Sequence, residues 1–108
     1  MKRRILTLLA AGALTALALP TAAHADTVTA THGPLSIGGY CSSQVNSTAW
    51  IGFYEVYGLN CYASKWGGGF QFVGAGSPMA ACAHLMPGVT ITSASRAASD
   101  ALTCTGTR

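Results

Sequence analysis

Charge is scarce in this sequence: Asp, Glu, Lys and Arg make up only 8% of its 108 residues. Three of its six basic residues, Lys2, Arg3 and Arg4, precede an apolar run from Ile5 to Leu19. Pro20 and the small-x-small triplet Ala23-His24-Ala25 follow. That order is the pattern of a secretory signal peptide over residues 1–25, with cleavage expected before Asp26. The exported part, 26–108, then carries Lys65, Arg96 and Arg108 against Asp26, Glu55 and Asp100, a formal net charge of zero. Three scattered cations cannot grip a phosphate backbone, which excludes a nucleic-acid partner. They also cannot form the cationic amphipathic face of a membrane-active peptide. After the signal there is no apolar run long enough to span a bilayer, so no stable membrane anchor is expected.

Catalytic patterns are also missing. No Cys-x-x-Cys occurs, which argues against a zinc ribbon or a thioredoxin-like redox site. No Gly-x-Ser-x-Gly sets a strained nucleophile turn. His84 with Asp100 and a serine can be written as a triad, but the plainer expectation for His84 is packing or hydrogen bonding beside Cys82. His32 falls in the first nine residues of the exported chain. Glycoside hydrolysis needs two opposed carboxylates, and Glu55 with Asp100 has only scarcity in its favour. Gly67-Gly68-Gly69 lacks a following helix and lysine, so it reads as a hairpin turn rather than a phosphate loop. The sequence calls for no cofactor, no metal and no catalytic residue.

What the sequence does have is four cysteines, Cys41, Cys61, Cys82 and Cys104, in 83 exported residues. An even count in a short exported chain reads as two disulfides in an oxidising, extracellular setting. Spacing alone leaves three pairings open. Loops of about 20 residues would contribute roughly 3 kcal/mol each under the chain-entropy model, enough to decide whether so small a domain folds.

The segments between the cysteines favour strands. Residues 26–34 read as a disordered leader or an edge strand, because Thr27-Val28-Thr29-Ala30-Thr31 alternates. Leu35 to Tyr40 reads as a short strand, and Cys41 to Thr48 as a polar loop. Ala49 to Tyr57, with Trp50, Ile51, Phe53, Tyr54, Val56 and Tyr57, is the strongest strand. Gly58-Leu59-Asn60 reads as a turn before a strand from Tyr62 to Trp66. The glycine triplet then leads to Phe70–Val73. Met79 to Met86 carries Cys82, Pro87-Gly88 turns the chain, and Val89–Thr92 alternates. A loop or single helical turn precedes a last strand through Leu102 and Cys104. The expected fold class is all-β: one small antiparallel β-sandwich stapled by two disulfides.

The segment from Cys61 to Thr92 resembles the tendamistat-like α-amylase inhibitors of actinobacteria. In both, a cysteine precedes a β-hairpin, and a later cysteine stands five residues before a Pro-Gly turn, here Cys82 before Pro87-Gly88. The resemblance implies a six-stranded β-sandwich with sequential bridges Cys41–Cys61 and Cys82–Cys104. That family's Trp-Arg-Tyr determinant is absent, because Ile51 and Gly52 follow Trp50. Of the determinant, only Trp50 carries over.

The aromatic load suggests a function. All nine aromatics lie in the exported part, eight of them between Tyr40 and Phe70. A small core cannot hold them all, and surplus Tyr and Trp mark protein interfaces. The expected partner-binding residues are Trp50, Phe53, Tyr54, Tyr57 and Trp66. Glu55 reads either as an outward or edge-protecting charge or as a polar anchor in a binding face. These residues point to a secreted, non-catalytic protein-binding module, either an inhibitor of a secreted hydrolase or an adaptor in a secreted toxin-type complex. The alternative is a small-molecule-binding or cyclase-like protein of a natural-product pathway, which would need a deep apolar pocket.

Overall fold

A computed structural model describes residues 25–108. The expected export signal lies, Ala25 apart, outside the described residues. Six strands form two antiparallel three-stranded sheets. One holds β1 (Thr27–His32), β6 (Ala101–Thr107) and β5 (Thr90–Ala97), in that order. The other holds β2 (Ile51–Glu55), β3 (Gly58–Ser64) and β4 (Phe70–Gly76). Residues 26–34 do not trail free: β1 pairs with β6 along its whole length, from Thr27 opposite Thr107 to His32 opposite Leu102. The glycine triplet turns β3 into β4, with all three glycines at positive φ. No helix among the described residues is long and apolar enough to cross a membrane.

Two short helices interrupt the strands, and one of them replaces an expected strand. Leu35–Tyr40 is not extended; it lies in α1, Pro34–Gln44, which also takes up the start of the expected loop after Cys41. Pro34 opens the helix with its fixed φ and missing N–H at the first helical position. Ile37, Tyr40 and Cys41 then fall on one buried face at helical spacing. Helix α2, Pro78–Leu85, has the same start, and Ser77 caps it by accepting from Ala80 N at 3.1 Å. The expected turn at Gly58-Leu59-Asn60 is also displaced. β2 and β3 are joined at Val56-Tyr57, with Glu55 opposite Gly58, and Leu59 and Asn60 are strand residues.

The bridges are Cys41–Cys61 and Cys82–Cys104, each with Cα atoms 5.6 Å apart. Each clips one helix to one sheet: α1 to β3, and α2 to β6. The core consists of what the clips draw together: Ile37 and Tyr40 from α1, Leu59 from β3, Ala81 from α2 and Leu102 from β6, around the four half-cystines. Tyr40 also accepts from Ser77 N at 3.0 Å, which ties α1 to the start of α2.

Helix α1 sits close enough to β2 that two positions exclude a side chain. A Cβ on Gly38 would lie 2.1 Å from the Trp50 carbonyl oxygen, and one on Gly52 would lie 2.5 Å from Ile37 Cγ2. Gly39, the next residue of the helix, is exposed and has nothing within 4 Å. The two neighbours should therefore respond with opposite signs. Gly38→Ala should destabilise by about 1–3 kcal/mol through overpacking against rigid backbone. Gly39→Ala should stabilise by roughly 0.5–1 kcal/mol through helix propensity. Denaturant midpoints of the two oxidised variants check this, and a shift of the same sign in both would contradict the close helix–strand approach.

Candidate functional site

Strand alternation gives the β2–β3–β4 sheet two unlike faces. Leu59, Cys61 and Ala63 of β3 point inward and are buried. Asn60, Tyr62 and Ser64 point the other way, where the register sets Asn60 opposite Phe53, Tyr62 opposite both Ile51 and Phe72, and Ser64 opposite Phe70. The outer face is thus an aromatic cluster centred on Tyr62. Its ring lies 5.8 Å from Phe53, 6.0 Å from Phe72 and 6.3 Å from Phe70. Trp50, just before β2, joins from the side, 5.6 Å from Phe70, with its indole N–H donating to Ser64 Oγ at 3.0 Å. These tilted and edge-on arrangements are the favourable ones for aromatic pairs.

Much of this surface is open. Phe72 is 56% exposed, and Phe70 and Trp50 are close to half exposed. At the two turns of the sheet, Trp66 and Tyr57 stand almost wholly in solvent, at 95% and 98%. The outer face of the other sheet is quite different. Thr29 meets Thr105 and Thr31 meets Thr103 through side-chain hydroxyl contacts of 3.3 and 2.8 Å, and no strand of that sheet carries Phe, Tyr or Trp.

Of the five residues expected at a binding surface, Trp50 and Phe53 lie in the cluster, and Tyr57 and Trp66 lie at the ends of its sheet. Tyr54 does not join them; alternation turns it inward, where it packs against the core. Tyr62, Phe70 and Phe72 complete the face and were not among the five. Their signal was in the sequence: once the glycine triplet folds β4 back on β3, period-two alternation places all three on the side of Phe53.

Glu55 is the carboxylate of this face. Its Oε1 accepts from Asn60 Nδ2 and from the Tyr62 hydroxyl at 2.9 Å. Among the described residues, neither Glu55 nor His84 is hydrogen-bonded to Asp100. His84, exposed on α2, is hydrogen-bonded to Gln44 Nε2 at 3.2 Å and lies edge-on to Tyr40. Asp100 is held by Arg96 at 2.9 Å. Among the described residues, no group of three His, Cys, Asp or Glu could hold a metal, and no pocket is enclosed. No protein-family model, curated protein or solved structure matches the chain.

Burial among the rings raises the Tyr62 phenol above tyrosine's ordinary 10.0, and the hydrogen bond and negative charge of Glu55 raise it further. Because the folded protein holds this proton more tightly than the unfolded chain, the phenol's contribution to stability is whole below pH 10 and is lost as pH rises through the folded value. Glu55→Gln keeps an acceptor but removes the charge. It should lower the Tyr62 pKa part of the way back, and titrating the ring-carbon resonance beside the hydroxyl checks this. An unchanged pKa would contradict the Glu55–Tyr62 contact.

Proposed function

We propose that this is a secreted, non-catalytic protein-binding module whose docking surface is the outer face of β2–β3–β4. One observation carries the proposal: a connected cluster of Trp50, Phe53, Tyr62, Phe70 and Phe72 lies on the solvent side of a sheet whose other side already packs against the core. A contiguous exposed apolar patch on a small soluble domain marks an interaction site. Aromatic rings supply rigid contact area at low entropic cost, which is why they dominate interface hot spots. The two disulfides fit an oxidising, extracellular-type environment, in keeping with the export signal read from residues 1–25. Two partner roles suit the surface. The hairpin tip Lys65–Gly69, led by Trp66, suits a loop inserted into the cleft of a secreted hydrolase, as in an inhibitor. The broad sheet face suits an adaptor held between subunits of a secreted complex. A small-molecule role would instead enclose these rings around a ligand.

Affinity capture from the source organism's culture supernatant, with mass spectrometry, tests the proposal. A hydrolase that loses activity on binding would mark an inhibitor, and large non-hydrolytic polypeptides in fixed ratio would mark an adaptor. Trp66→Ala and Phe72→Ala should each weaken capture by about tenfold or more, the range of interface hot spots. Thr29→Lys, on the opposite sheet, should leave it unchanged. Equal capture by all four proteins would contradict this docking surface.

A further inference from the structure

The hydrogen bonds around Glu55 have a direction. Tyr62 spends its O–H, and Asn60 one of its N–H groups, on the same carboxylate oxygen, Oε1. The other oxygen, Oε2, accepts no hydrogen bond and pairs with no cation among the described residues. It is not sealed from solvent, since among the described residues the one buried side-chain nitrogen or oxygen without a partner is His32 Nε2. Asn60 Oδ1 and the lone pairs of the Tyr62 hydroxyl are likewise uncommitted. The cluster therefore turns donors inward and presents acceptors and a negative charge outward.

Among the described residues, no cation of the chain forms an ion pair with Glu55. Arg96 pairs with Asp100 at 2.9 Å. Lys65 follows the far end of β3, while Glu55 pairs with Gly58 at its start. At about 3.3 Å per residue that separation is roughly 20 Å, beyond the reach of a lysine side chain.

A partner that covers the surrounding rings also strips water from Oε2. A carboxylate desolvated without a counter-charge is costly, so a wholly apolar or acidic partner surface is disfavoured. The geometry points to Glu55, with Asn60, Tyr62 and Phe53, as a receptor for the guanidinium of an arginine carried by the docked protein. This rests on the outer sheet face being the docking surface, and it names the chemistry that surface selects. Guanidinium carries only donors, matching a site of acceptors. It is planar and weakly hydrated, so it can lie on the Phe53 or Tyr62 ring while an N–H reaches Oε2.

The test uses the oxidised, exported protein and two probes of nearly equal shape: acetyl-Gly-Arg-Gly-amide, and the same peptide with neutral citrulline for arginine. In side-chain-detected NMR titrations, the arginine peptide should give saturable shifts at the Glu55 carboxyl, Tyr62 and Phe53. The citrulline peptide should bind about fivefold or more weakly, as expected when a charge-assisted hydrogen bond is lost. Glu55→Gln, which retains an acceptor for Asn60 and Tyr62, should erase the difference while leaving the backbone amide spectrum in place. Equal binding of the two peptides, shifts confined to other surfaces, or stronger saturable shifts at the same residues with the neutral oligosaccharide maltoheptaose would each overturn the assignment. Partner capture separates this from the docking surface itself. If Phe72→Ala loses capture and Glu55→Gln retains all of it, the surface stands and the arginine receptor falls. If neither variant changes capture, both fall.

Discussion

Two cystines, each joining a short helix to a sheet, are the constraint on which the rest of this structure depends. Helices of 11 and 8 residues are marginal on their own. Three-stranded sheets of this size bury little without a covering layer. Cys41–Cys61 fastens α1 to β3, and Cys82–Cys104 fastens α2 to β6. The space between fills with a few residues: Ile37, Tyr40, Leu59, Ala81 and Leu102. The small residues at the contact follow from that closeness. Gly38 and Gly52 are where the helix meets the strand, and any side chain there would collide.

This arrangement explains how a chain of so few residues can leave large rings exposed. The helices and cystines cover the inner faces of both sheets, so the outer face of β2–β3–β4 is not needed for the core. Its rings touch each other and the solvent, and Glu55 sits among them with one oxygen committed. The opposite sheet shows the plainer way to finish a surface, with threonine hydroxyls paired across strands and no Phe, Tyr or Trp. The contrast between two sheets of equal size is the strongest physical reason to place recognition on one of them.

Much of this was legible in the sequence because the signals were local. Val, Ile, aromatic and Thr alternation marked most of the strands, and the glycine triplet marked the β3–β4 turn. Pro87-Gly88 marked the turn after α2. The pairing of cysteines was not legible from spacing; it was implied only by the family resemblance. Helix α1 was misread because Leu35, Ile37 and Tyr40 in a glycine-containing stretch look like a strand. The correcting signals were Pro34 at the start and the i, i+3, i+4 pattern of Ile37, Tyr40 and Cys41. The composition of the aromatic face was only half legible. Phe53 and Trp66 stood out along the chain, but joining Tyr62, Phe70 and Phe72 to them required the hairpin register. Tyr54 faces inward for the same reason of alternation, which a reading of aromatic content alone passes over.

The most direct test is to observe the aromatic side chains where the protein acts. The oxidised domain, carbon-13-labelled at Phe, Tyr, Trp and Thr side chains, would be added to concentrated culture supernatant of the source organism and followed by line broadening. The account predicts selective broadening of Trp50, Phe53, Trp66, Phe70 and Phe72, with Thr29, Thr31, Thr103 and Thr105 remaining sharp. Broadening confined to the threonine face, or none at all, would contradict it.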